Sequence, residues 1–337
     1  MKIMLRCMFL GMIGLGFSLY LGALNLDNAL YLDATTRAFS AANPLVARGS
    51  KAASMVYDAQ GRTIYLPAVS VPFISVAAGK TLTLQNVTLV GFRPEHVNLR
   101  SAASRFLLGS GVVVSLDRDL DLKSSLTFVG NATIDGGGKV LNFNNKAALV
   151  VTSNTVLSLK DCTVKGIKNF KHYDGSNAAS IMCSKDKGHI FLNSTKCFLD
   201  DLWTFTSGQM SIGGDVSFAS TWATFSYTTI SNLTVYPRSS LSFERGMTFN
   251  YGSIAGPNKL ILTDATSSLI FKNSIFLSGA QGINVTSGSL FIKGDVVFKN
   301  FVASPTAGIT LDRSLFTALL AGSILSIDGI VAHGKPA

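Results

Sequence analysis

Charge is scarce in this chain. Asp, Glu, Lys and Arg together make up 14% of its 337 residues, where a soluble domain ordinarily carries about a quarter. Proline is sparse too, at 8 residues, and no long amphipathic heptad is present, which argues against helical architectures. Cysteine is rarer still, at 4. Once Cys7 is set aside with the N-terminal segment described below, Cys162, Cys183 and Cys197 remain. That odd count excludes a fully paired disulfide framework. One bridge, Cys183–Cys197, would suit an oxidising compartment; buried, stacked thiols suit the same residues equally. No Cys-x-x-Cys occurs, so a structural zinc site is not expected. The four histidines, His96, His172, His189 and His333, are scattered, and none pairs locally with a nucleophile.

What the chain does have is Gly, Ser, Thr and Asn between short apolar alternations. The stretch Ser125–Phe143, SLTFVGNATIDGGGKVLNF, reads as strand, corner, strand, corner, strand. Gly130-Asn131 makes the first corner, both residues tolerating positive φ, and Gly136–Gly138 makes the second. Apolar-x-apolar around Gly-Asp or Gly-Asn recurs at Met210–Phe218 (MSIGGDVSF) and Leu290–Phe298 (LFIKGDVVF), with Leu241–Phe249 (LSFERGMTF) a close variant. A second version puts Asn or Asp at the corner: Leu82–Leu89, Leu157–Val164 and Leu269–Phe276. Irregular turns of roughly 20–30 residues predict a parallel β-helix, in which loops of any length leave at the corners. The gaps Leu82 to Leu126 and Leu157 to Met210 are read as two turns each.

The run Gly130–Gly138 resembles the early-coil G-N-x-T-I-D-G-x-G of right-handed parallel β-helix proteins of the pectin-lyase-like superfamily. Ala77–Phe92 resembles their recurrent apolar-x-Asn-x-Thr-apolar rungs. The resemblance covers about residues 60–330 and implies a fold; these motifs carry no reaction with them.

Lys2 and Arg6 precede the uncharged run Cys7–Leu24, a signal-peptide pattern with a cut expected after Ala23 or Ala29. An uncleaved anchor is the alternative, since the run nearly spans a bilayer. The expected organisation is a signal peptide over 1–23 (or to 29) and a flexible leader or cap over 24–54. The parallel β-helix follows over 55–330, then a tail over 331–337. Export is the expectation, to the periplasm, the medium or the cell surface, with no integral membrane domain after signal removal. Nucleic acid is then not an expected partner.

Formal charge is +10, and a basic surface favours acidic glycans or envelope polymers. The most basic segment, Lys139 to His189, interleaves lysines with aromatics. From it Lys165, Lys168, Lys171, His172, Tyr173, Lys185 and Lys187 are the candidate ligand-binding residues, the rings stacking on sugars and the lysines meeting acidic groups. In Val112–Leu122, Asp117, Asp119 and Asp121 alternate with leucines. On one strand all three would share a face, either solvated or holding calcium. No other metal or cofactor is expected. Of the five Asn-x-Ser/Thr sites, beginning at Asn86, Asn131, Asn193, Asn232 and Asn284, the first, second and fourth read as corner residues.

Glycoside hydrolysis needs two carboxylates across the scissile bond. Asp200-Asp201 is the one adjacent acidic pair, and Gly188-His189 is the nearest Gly-His element. Their order is the reverse of that in polygalacturonase-like enzymes, and no Asn-Thr-Asp or later Arg-x-Lys accompanies them. Asp200, Asp201 and His189 are therefore the weak catalytic candidates. The reading preferred here is a non-catalytic β-helix of a bacterial surface, adhesin-like or envelope-associated, in contact with anionic glycans. A carbohydrate-active enzyme of the same fold and a trimeric tailspike-like rod are the alternatives.

Overall fold

The computed structural model describes residues 24–25, 45–47, 53–66, 72–144, 146–171, 176–184, 187–251, 260–278, 283–285, 287–300, 309–311, 316–319 and 324–328. Residues 1–23 and 331–337 lie outside that set. Among the described residues one short 3-10 turn, Pro94–His96, is the only helical element. Everything else regular is strand, and apart from one small antiparallel hairpin the strands stack in parallel as a right-handed β-solenoid of about nine turns. The chain divides into two units, 1–107 and 108–337.

In the first unit Ser54–Tyr65 lies parallel to Thr81–Val90, with Met55 opposite Leu82 and Ile64 opposite Leu89. Both strands bend at residues in the left-handed region, Gln60 (φ 52°) and Gly61 (φ 78°) in one and Asn86 (φ 48°) in the other. The Asn86 side-chain amide donates to the Asp58 carboxylate at 3.0 Å, tying one corner to the next. Ile74–Val76 pairs with Val97–Leu99 on one side and Leu45–Ala47 on the other, and the latter pairs with Leu24–Asn25.

The second unit has three faces. On face two, Val112, Ala132, Leu157, Ile190, Met210, Leu233 and Leu260 lie in one register row. The turns are thus 20 to 33 residues long, and Leu157 to Met210 spans two of them. Face three runs from Leu120–Leu122 through Val140–Phe143, Thr163–Ile167, Lys196–Leu199, Asp215–Ala219 and Ser240–Glu244. Face one stacks Leu126–Phe128, Leu149–Val151 and Ile181–Cys183, then resumes with Trp203–Phe205, Thr224–Tyr227 and Thr248–Tyr251.

This register explains the irregular spacing of the repeats. Leu126–Ile134 turns from face one to face two, Leu157–Val164 and Met210–Phe218 from two to three, and Leu241–Phe249 from three to one. What repeats is the corner rather than the turn. Any edge of the prism needs inward apolar residues on both sides of a residue that reverses the backbone. Asp161 (φ 48°), Gly214 (φ 59°) and Asn273 (φ 47°) supply that reversal.

Gly130 and Asn131 depart from the expectation, because neither takes a positive φ. Gly130 is required by close approach instead: a Cβ there would run into the backbone nitrogen and hydroxyl of Ser110 in the neighbouring turn. Asn131 bridges turns through its side-chain oxygen, which accepts from the Val156 amide at 2.9 Å. Gly130→Ala should therefore destabilise by about 1–3 kcal/mol through overpacking, read as a lower urea midpoint at unchanged slope.

The interior changes character along the second unit. Its early turns are filled mainly by Leu, Val, Ile, Ala and Cys, with single rings at Phe128 and Phe143. From Trp203 onward, aromatic rings from successive turns stack on one another. Trp203 lies 4.7 Å from Phe225, Phe218 is 4.9 Å from Phe225, and Phe243 is 4.1 Å from Phe249, measured between ring centroids. Phe243 is fully buried and also contacts Phe218 and Phe271 of the flanking turns. Phe243→Ala should cost about 3–5 kcal/mol, and equilibrium denaturation measures it.

Candidate functional site

The parallel ladder of face one is interrupted between Ile181–Cys183 and Trp203–Phe205. Buried backbone groups need partners, and here side chains stand in for the missing strand bonds. The fully buried Trp203 donates its indole Nε1–H to the Ile181 carbonyl at 3.2 Å, and the Ser207 hydroxyl donates to the Cys183 carbonyl at 2.7 Å. Asn169 closes the other side: its Nδ2 donates to Thr204 Oγ1 and its Oδ1 accepts from the Thr204 amide, each at 3.1 Å.

Asn169 belongs to a small antiparallel hairpin, Asn169–Lys171 against Asn177–Ala179, inserted after face three. The hairpin and the parted turns border an open cleft of about 380 Å³, lined by Asn169, Asn177 and Ala178 and by Met182, Thr204 and Ser207. That volume lies within the range of small-ligand sites. Sequence reasoning missed this seam. A buried Trp in a strand otherwise made of small-turn pattern was the available signal.

Two of the candidate lysines adjoin this insertion. Lys168 immediately precedes the hairpin and Lys171 ends its first strand, where it is exposed. Lys165 points outward from face three, and exposed Lys187 sits in the corner ahead of face two, its carbonyl accepting from the Asn154 amide at 3.0 Å. His172, Tyr173 and Lys185 lie outside the described residues. Lys160, in the same basic segment, is committed to Asp135 at 3.2 Å and Asp161 at 3.5 Å.

Asp200 and Asp201 occupy a bend rather than a strand, and both are exposed. The Asp200 amide donates to the Ile167 carbonyl at 3.0 Å and the Asn169 amide to the Leu202 carbonyl at 2.8 Å, so the Asp200-Asp201 bend runs alongside Lys168 at the foot of the hairpin. His189 is elsewhere, at the start of His189–Asn193 on face two. Its Nε2 is 2.9 Å from Ser211 Oγ, and no described hydrogen bond or ion pair links it to either aspartate.

The three aspartates of Val112–Leu122 do not share a strand face. The expected single strand breaks into Val112–Ser115 on face two and Leu120–Leu122 on face three, with a corner between them because Leu116 and Leu120 both turn inward. Asp117 pairs with Arg118 at 2.7 Å, Asp119 accepts from the Val140 amide at 2.9 Å and Asp121 accepts from Asn142 Nδ2 at 2.8 Å. Among the described residues no group of three or more His, Cys, Asp or Glu side chains is gathered for a metal. The same residues include no helix long and apolar enough to cross a membrane.

Cys162, Cys183 and Cys197 are all buried free thiols. Cys183 lies on face one and Cys197 on face three, which removes the bridge considered between them. Burial pushes the thiols of Cys162 and Cys183 up to about 12 and raises that of Cys197 as well.

The fold and this seam define a class, the parallel β-solenoids. Family models, characterised proteins and solved structures alike give no match that would narrow the class further.

Burial holds the His189 imidazole below its ordinary value, so on acidification the unfolded chain takes up that proton first. The associated stability is complete above the ordinary histidine value, near 6.5, and is lost as pH falls from there through the lower value of the folded state. Thermal midpoints between about pH 7.5 and 5.5 should fall less steeply in His189→Asn than in the parent chain.

Proposed function

We propose that this chain is a non-catalytic, exported or cell-surface β-solenoid, a divergent relative of the pectin-lyase-like β-helices, that holds acidic glycans in an adhesin-like or envelope-associated role. The basic segment does the binding. One observation carries this reading: the lysine-rich stretch leaves the solenoid as a hairpin where the ladder of face one is interrupted, with Lys168 at its foot, Lys171 on it and a cavity of about 380 Å³ beside it. An insertion at a corner is free to carry binding residues because the stacked core does not depend on it. The formal charge of +10 adds long-range attraction for polyanions. Export rests on the charged start and apolar run of the first 24 residues.

The second reading, a carbohydrate-active enzyme, is favoured by one observation only. Asp200 and Asp201 share an exposed bend beside Lys168, where two carboxylates can face one groove as they could not on a single strand.

Immobilised polygalacturonate and a sulfated glycan provide the test. The chain should bind at least one of them, more weakly as salt rises. Replacing Lys165, Lys168, Lys171 and Lys187 together by Gln should weaken binding by about tenfold or more. No binding to either polymer, or binding indifferent to the four lysines, overturns the proposal. Depolymerisation abolished by Asp201→Ala would establish the second reading in its place.

A further inference from the structure

Phe191 points outward from face two, between the inward residues Ile190 and Leu192, and is half-buried. Its register neighbours are Ser158 in the preceding turn and Ser211 in the next. An isolated outward phenyl ring among serines needs a support, and Gly213 of the next turn provides it. A Cβ on Gly213 would come within 2.7 Å of Phe191 Cζ and 2.9 Å of Cε2, so the ring lies across a position that no side chain fills. One turn further on, Tyr236 meets it edge to face, with centroids 5.8 Å apart and planes at 70°. Tyr236 is 40% exposed, and its amide donates to the Ile212 carbonyl at 3.0 Å, which fixes it beside Gly213.

Three turns at about 4.8 Å each thus present an aromatic floor and wall on the scale of a single six-membered sugar ring. The flanking residues on the Phe191 strand are polar. On one side His189 Nε2 and Ser211 Oγ are 2.9 Å apart, and burial of His189 keeps its imidazole neutral at physiological pH. On the other side Asn193 lies in register with Gly213, and among the described residues its side-chain amide has a single long contact, 3.4 Å from Ser194 Oγ to Oδ1. The nearest cation in this row, Lys160, is paired with Asp135 and Asp161. The outward residues of the three strands themselves, His189, Phe191, Asn193, Gln209, Ser211, Thr234 and Tyr236, carry no fixed charge. A ring with one C–H face and a rim of hydroxyls would find both an aromatic plane and neutral donors and acceptors.

We propose that Phe191 and Tyr236 form a binding subsite for one uncharged pyranose unit, seated by its C–H face on the phenyl ring and held at its hydroxyls by Asn193 and by His189, which the buried Ser211 orients. The subsite is separate from the lysine hairpin and does not require the acidic-glycan reading to hold.

Calorimetric titration of the whole chain with glucose-, galactose- and mannose-based neutral oligosaccharides tests it. At least one should bind with an affinity that changes less than about twofold between roughly 50 and 500 mM salt. Phe191→Ala and Tyr236→Ala should each weaken that binding by about tenfold, with circular dichroism and thermal midpoint checked alongside. Gly213→Val supplies a second test that leaves both rings in place: lifting the ring from its floor should reduce affinity comparably. Absence of binding to all three series, or binding unmoved by the ring variants, overturns the subsite. So does binding that disappears with salt or with the four-lysine variant, because it would then belong to the basic hairpin. Self-association abolished by Phe191→Ala would also overturn it, by identifying the occupant as a second copy of the chain.

Discussion

Every turn of this molecule depends on the parallel backbone ladder with the turns on either side. A single rung has no partner for its own amides and carbonyls and no enclosed core; both come only from stacking. The ladder also sets the register, which places like side chains above like. Inward rows become continuous columns of Leu, Val and Ile, then of Phe, Tyr and Trp, and outward rows become lines of polar groups. Corner chemistry follows from the same constraint. A residue that reverses the backbone at one edge must do so without obstructing the turn above, as at Asp161 and Asn273, or must lack a side chain where the next turn comes close, as at Gly130.

The seam between Ile181–Cys183 and Trp203–Phe205 shows what happens when one rung fails to meet the next. Trp203 enters the interior stack against Phe225, and its indole N–H takes the carbonyl that a strand amide would have used. Asn169 and Ser207 satisfy neighbouring groups. The inserted hairpin covers the opening, so the irregularity and the basic segment are parts of one local solution. An interior residue on one face and a loop on the surface are linked here through backbone hydrogen bonding.

Much of the fold was legible because its rules are local. Apolar alternation with Gly, Asn or Asp between the strands identified corners at Asn86, Asp161, Gly214 and Asn273, and the stacking of such corners implied a solenoid. The alternation did not distinguish the three edges of the prism, because all three demand the same pattern. It likewise carried Asp117, Asp119 and Asp121 through a corner as if the strand were continuous, when Leu116 and Leu120 each turn inward on different faces. The lysines and the Asp200-Asp201 pair were visible as residue types, but their meeting at one hairpin depends on a register between turns 33 residues apart. The pairing of Phe191 with Tyr236 over Gly213 depends on three turns at once. Pattern within one strand cannot report that.

The seam has a mechanical consequence. In the turns directly before and after it, adjoining strands of face one are joined by rows of backbone bonds that would have to shear together. At this level of face one, the described connections are side-chain bonds from Trp203, Ser207 and Asn169. Tension along the stacking axis would concentrate there and open face one first, while the ladders on faces two and three act as a hinge. A solenoid tethered to a surface and loaded at its far end would yield at this joint by bending before any of its turns came apart.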